Sequence, residues 1–140
     1  MEVRKNKSGF TLLEIIIVVI IVGVLASLAL PRFFAMVEFS RAQEALSALA
    51  TVRGSLERYY VSKGNDYTNA TTANIDVGDP LNGQPNAHFG IAVTAAGPAG
   101  YTIVAQRNVV DGGNANSNVT IVQGGGVVVR SGATAFAGIN

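Results

Sequence analysis

The chain has no cysteine and no tryptophan, a single histidine (His88) and four prolines in 140 residues. Without cysteine there is no disulfide, no thiol nucleophile and no cysteine metal site, so an exported form must hold its fold by packing and hydrogen bonds. One histidine excludes a catalytic histidine pair and any His-based metal cluster. Charge is scarce: 14% of residues, ten basic against nine acidic, net +1. Residues 1–9 hold Arg4, Lys5 and Lys7 against Glu2, so the remainder carries seven basic and eight acidic side chains, a net of −1. Those seven (Arg32, Arg41, Arg53, Arg58, Lys63, Arg107 and Arg130) are scattered and form no footprint for nucleic acid. The length suits one domain.

What is plentiful is apolar surface, 49% of residues, and much of it precedes Pro31. From Phe10 to Leu30 only Glu14 is charged. These twenty-one residues would span about 30 Å as a helix, the hydrocarbon thickness of a bilayer. A lone segment in lipid must be helical to satisfy its backbone. Basic residues in front, and none close behind until Arg32, put the N-terminus in the cytoplasm and the rest of the chain outside. Glu14 is the anomaly, because an acidic side chain costs about 2.5–3.5 kcal/mol at mid-membrane and less toward the interface. A plain signal anchor gives it no role. A secretory signal cut after Ala29, at Ser27-Leu28-Ala29, normally has a shorter apolar run and no carboxylate inside it.

The stretch Lys7-Ser8-Gly9-Phe10-Thr11-Leu12-Leu13-Glu14 resembles the cleavage and methylation site of type IV prepilins and of type II secretion pseudopilins. The resemblance covers the first thirty-odd residues. It implies a basic leader, 1–9, removed by a membrane prepilin peptidase that cuts between Gly9 and Phe10. It implies N-methylation of Phe10, with Glu14 as the fifth residue of the mature chain. Residues 10–31 would be the transmembrane and assembly half of a helix, and 32–140 a globular head. A methylated amine keeps its charge and gains apolar surface. Opposite charges attract strongly in a low-dielectric setting, and either alone is expensive there. Phe10 and Glu14 are one turn apart, so a pair within one chain is open. The resemblance favours Glu14 of one subunit neutralising Phe10 of its neighbour, which would set axial register in a filament.

Beyond Pro31 a helical pattern resumes through Phe34, Val37, Ala42, Ala45, Leu49, Val52, Leu56 and Tyr59 or Tyr60. Arg41, Glu44, Ser47, Thr51, Ser55 and Arg58 fall largely elsewhere on the wheel. The pattern predicts one helix from about Phe10 to about Val61, apolar all round in its first half and amphipathic in its second. Gly23, Pro31 and Gly54 are its weak points, and the resemblance implies that Gly23 and Pro31 are where it would break or loosen on packing in a filament. Pro31 reads equally as a plain kink at the membrane exit.

Residues 62–87 are full of turn formers and predict a connecting loop, which the resemblance makes surface exposed. Strand-like runs follow at His88–Thr94, Tyr101–Arg107, Asn118–Gln123 and Val127–Arg130, separated by glycine-rich turns. An antiparallel meander of about four strands would turn Phe89, Ile91, Val93, Tyr101, Ile103 and Ala105 toward the amphipathic half of the helix. The fold class is α+β: a long N-terminal helix packed on a small antiparallel sheet, as in the pilin fold.

Signs of chemistry are few. His88 at a strand start reads as an edge residue. Asp76 and Asp79, with Asn82 and Asn86, have calcium-type oxygens but no EF-hand spacing and read as a solvated loop, as do Asp111, Asn114, Asn116 and Asn118. Gly124-Gly125-Gly126 lacks the Lys-Ser/Thr of a phosphate loop. Phe33, Phe34, Phe39, Tyr59 and Tyr60 read as packing aromatics. The expectation is therefore a structural subunit with no catalytic residue, metal or cofactor. It would be a homopolymer of a type IV pilus, serving adhesion, motility or aggregation. Its partners would be the prepilin peptidase and methyltransferase and the inner-membrane pilus or secretion machinery. It would be a single-pass inner-membrane precursor and then a cell-surface filament. The second reading is a pseudopilin of a type II secretion system. Two departures bear on subclass: the tail 131–140 has no acidic residue of the kind the major pseudopilin's calcium loop uses, and there is no C-terminal disulfide as in many pilins. The third reading is a signal-anchored or secreted soluble binding domain.

Overall fold

The computed structural model describes residues 9–125, 127–133 and 136–137. The leader up to Ser8, Gly126 and residues 134–135 and 138–140 lie outside the described residues. The element order is α1 (Leu12–Ser62), β1 (Phe89–Gly97), β2 (Gly100–Arg107), the short 3-10 helix η1 (Val110–Gly112), β3 (Asn118–Gly124) and β4 (Val127–Ala133). The chain divides into two compact units, Met1–Met36 and Val37–Asn140.

In the first unit α1 begins at Leu12 and continues through Gly23 and Pro31. Pro31 cannot donate to the Ser27 carbonyl four residues earlier, yet the helix does not end there. Its apolar side chains are exposed all round, from Phe10 and Leu12 to Leu30, Phe33 and Phe34. The helix is long and apolar enough to cross a membrane. Phe34, expected in the packed stripe, is 64% exposed, and Phe33 and Phe39 are exposed with it. The reading of these three as packing aromatics is therefore corrected for the single chain: the packed stripe starts only at Ala42.

In the second unit the buried positions of α1 are Ala42, Ala45, Ala48, Leu49, Val52, Ser55 and Leu56. Steps of three and four residues put them on one face, and the three alanines let the sheet come close. The sheet has the order β1-β2-β3-β4, every pair antiparallel. Ile91 stands opposite Ala105, Ile103 opposite Ile121, and Ala105 opposite Val119, so alternate residues of three strands share one inward face. That face closes on the helix with Phe89, Tyr101 and Phe136 in the same core. The α+β layout with its four-stranded meander is thus the one expected, with β1 running on to Gly97 past a bulge after Val93 and β4 running on to Ala133.

Two expectations change. The segment after α1 is more than an exposed loop, because Tyr67, Ala70 and Ile75 are buried in the core. Tyr67 stacks on Tyr60 at 4.4 Å and meets Tyr101 edge-on at 4.9 Å, contacts that hold the loop to helix and sheet. Ser55, expected on the polar face, is buried. The loop folds over it, its hydroxyl donates to Asp76 Oδ1 and its oxygen accepts from the Val77 N–H.

Candidate functional site

The N-terminal segment carries the groups that the sequence singled out. Gly9, Phe10 and Thr11 are non-helical, and α1 starts one residue later. Thr11 makes that start. Its Oγ1 accepts from the Glu14 N–H at 3.2 Å and its carbonyl accepts from the Ile15 N–H at 3.3 Å. These are the two bonds of a helix N-cap, and Thr11-Leu12-Leu13-Glu14 has the order of a capping box. Sequence reasoning passed over Thr11, although Thr-x-x-Glu ahead of an apolar run was the available signal. Glu14 sits in the first turn, where a carboxylate is favoured by the helix dipole, and it is exposed among exposed leucines and isoleucines. Phe10 is 78% exposed.

Gly9 has open space around it: a Cβ there would meet nothing within 4 Å, and its φ is outside the left-handed region. Packing within the chain therefore does not require glycine at this position. Gly23 likewise has open space on the helix surface.

In the second unit the polar residues act as ties. Arg107 is buried, and sequence reasoning counted it only as a scattered charge. Its Nε and Nη2 donate to Glu38 on α1, each at 3.2 Å, while Nη1 donates to the carbonyls of His88, Asn108 and Val110. Arg41 donates to the same carboxylate at 2.5 Å. The Arg107 hydrogen bond, opposed by burial and helped by Arg41, holds the Glu38 carboxyl below its usual range. Gly113 follows from this: a Cβ there would collide with the Arg107 guanidinium and the Asn108 carbonyl.

His88 is corrected from edge residue to bridge. Its Nδ1 lies 2.9 Å from Glu44 of α1 and its Nε2 3.5 Å from Asp111 of η1. Asp76 is engaged by Arg58 at 2.6 and 3.0 Å and by Ser55. The Arg58 bonds first, then Ser55, lower its carboxyl to about 2. Asp79 accepts from the N–H groups of Leu81 and Ile91 at 2.9 and 3.1 Å, fastening the loop to β1. Asn114 accepts from the Asn116 N–H, which shapes the turn before β3. Glu57 accepts the hydroxyls of Tyr67 at 2.8 Å and Tyr101 at 3.2 Å. Burial first and Glu57 next push Tyr101 up to about 12. The same two causes raise Tyr67 as well.

The family model that matches the chain falls on the same segment. Residues 4–30 match the prokaryotic N-terminal methylation motif, a stretch containing Gly9, Phe10 and Glu14. The chain is 38% identical over 61 residues to the fimbrial protein EcpC of Eikenella corrodens, covering 44% of this chain and 40% of that protein. It is 42% identical over 55 residues to the type II secretion system core protein G of Klebsiella pneumoniae, 39% of each chain. It is 31% identical over 78 residues to the fimbrial protein of Neisseria meningitidis serogroup B, 56% of this chain and 46% of that one. The match thus spans less than half the length of these relatives. No solved structure matches the chain. The methylation motif, the long apolar helix behind it and these relatives support a likeness of the chain to type IV pilins and type II secretion pseudopilins.

Proposed function

We propose that the protein is the structural subunit of a type IV pilus filament, made as a membrane precursor and polymerised through its apolar helix. The observation that carries the reading is the stretch of α1 from Leu12 to Leu30, exposed and apolar all round, which holds a single carboxylate, Glu14, in its first turn and lies inside the methylation motif. Such a surface is satisfied by lipid before assembly and by like helices afterwards. In this reading residues 1–9 are removed between Gly9 and Phe10, Phe10 is methylated, and Glu14 neutralises the Phe10 ammonium of a neighbouring subunit. The leader and N-terminus stay in the cytoplasm until assembly, when the mature chain enters a cell-surface filament. The other partners are a prepilin peptidase and methyltransferase and the inner-membrane assembly machinery. Gly23 and Pro31 are where the helix loosens on packing: open space surrounds Gly23, and Pro31 leaves a hydrogen bond out. The subunit has no catalytic role in this account.

The relatives named core protein G support a second reading, a pseudopilin of a type II secretion system, in which the same processing yields part of a piston that exports folded proteins. The two part on product. Sheared long filaments containing this chain support the pilus, and loss of protein export without such filaments, on deletion, supports the pseudopilus. Processing itself is tested at Gly9, where the fold tolerates a side chain. Gly9→Leu is expected to leave an uncut chain in the membrane, and normal mature protein from it contradicts the reading.

A further inference from the structure

We infer that Thr11 is the positioning residue for processing: by capping the helix it holds the Gly9–Phe10 peptide bond in non-helical chain, where a peptidase can close on it. The inference rests on the cut assigned above. Thr11 takes the Glu14 N–H on its side chain and the Ile15 N–H on its carbonyl, so Leu12 is the first helical residue. Gly9 and Phe10 stay outside, although Phe10 begins a run of apolar residues that would otherwise continue the helix upstream. The pressure to continue is real near a membrane, because an uncapped helix start leaves N–H groups without partners where water is scarce. Hydrolysis needs enzyme groups on either side of the scissile carbonyl. A first helical turn instead packs that carbonyl against the residues that follow.

The sequence also names the competitor. The next side chain upstream able to cap is Ser8, and a helix capped there would take Gly9 and Phe10 as its first two residues. Glycine at position 9 opposes that start, being a poor helix former, and so supports the Thr11 cap. Glu14 is the third residue of the helix Thr11 caps, so the same cap fixes how far the carboxylate stands from the new amino terminus.

The test measures the cutting rate of the full-length chain in membranes with a prepilin peptidase, read by intact mass. Thr11→Val keeps the shape and removes the acceptor, and is expected to slow the cut about fivefold, the equilibrium effect of losing one cap. Thr11→Ser keeps the acceptor and should run near the wild-type rate. Adding Ser8→Ala to Thr11→Val removes the upstream cap and should restore most of the loss, an outcome that general damage at position 11 does not produce. Wild-type cutting of Thr11→Val, slow cutting of Thr11→Ser, or no rescue by Ser8→Ala overturns the positioning role and leaves the processing account standing. If the wild type itself is never cut between Gly9 and Phe10, the processing account falls first, and every variant stays uncut with it.

Discussion

The buried guanidinium of Arg107, at the end of β2, grips the carboxylate of Glu38 on α1 through two hydrogen bonds of 3.2 Å. Its remaining nitrogen gathers three carbonyls from the β1 entry and the turn after β2. One side chain therefore fastens helix, sheet and turn. Removing one partner of a buried pair strands the other, at about 3–5 kcal/mol, and Glu38 keeps some solvent contact that softens the figure. Glu38→Ala is expected to cost about 2–3 kcal/mol in urea unfolding of the detergent-solubilised chain. A loss below about 0.5 kcal/mol would show the pair to be incidental.

The same pair sets an acid limit. The folded Glu38 carboxyl is held below its ordinary value, and Asp76 is lowered to about 2. Groups depressed in the folded state stabilise it above their unfolded values, about 4, and lose that contribution as pH falls through the folded ones. The melting temperature should be flat with respect to these two groups above about pH 5 and fall between about pH 4 and 2. Glu38→Gln should flatten part of that fall. An unchanged profile in this variant contradicts the assignment.

Tyrosine sets the alkaline limit. Tyr101 is raised to about 12 by burial and by Glu57, and Tyr67 is raised by the same causes. A raised value means the contribution is complete below the unfolded pKa, about 10, and is lost as pH climbs through the folded one. Absorbance titration should show Tyr67 and Tyr101 ionising together with unfolding, above about pH 11. Glu57→Gln should bring that transition to lower pH if the shared hydroxyl bonds hold the loop. An unmoved transition assigns the shift to burial alone.

Gly113 has no room for a methyl group, since Arg107 and the Asn108 carbonyl occupy the place. Gly113→Ala should destabilise by about 2 kcal/mol, within the range for forced overpacking. Gly124→Ala, with nothing near its Cβ, is the control and should stay within about 0.5 kcal/mol. Equal behaviour of the two variants would show that the turn relaxes freely around Arg107.

The elements whose signal is local were legible in the sequence. The helix, the four strands and the inward set Phe89, Ile91, Tyr101, Ile103 and Ala105 all follow from periodicity. The same alternation carries on from Ala105 to Arg107 and puts it on the core face. It was read by charge, and charge misled because the partner, Glu38, is sixty-nine residues away. Ser55, Tyr67 and Ile75 had no such signal. Their burial depends on the loop folding back over α1, an arrangement no local period records. At the N-terminus the apolar run and Glu14 were plain, while Thr11 was hidden in the familiar look of the segment around it.

In the function proposed above, Glu14 acts in assembly through its charge. Glu14→Ala should still be cut at Gly9, since the carboxylate follows the scissile bond by several residues, yet filament yield should fall at least tenfold, as for a buried charge left unpaired by more than about 1.4 kcal/mol. Quantifying sheared filaments against membrane-held mature chain reads both at once. Normal yield would remove the pairing with Phe10.

The measurement closest to the central claim is the intact mass and amino-terminal residue of the chain in a sheared cell-surface fraction. The account predicts a chain that begins at Phe10, carries one added methyl group on its amine and comes from filaments. A chain beginning at Leu30, or an uncut chain confined to the membrane, contradicts it.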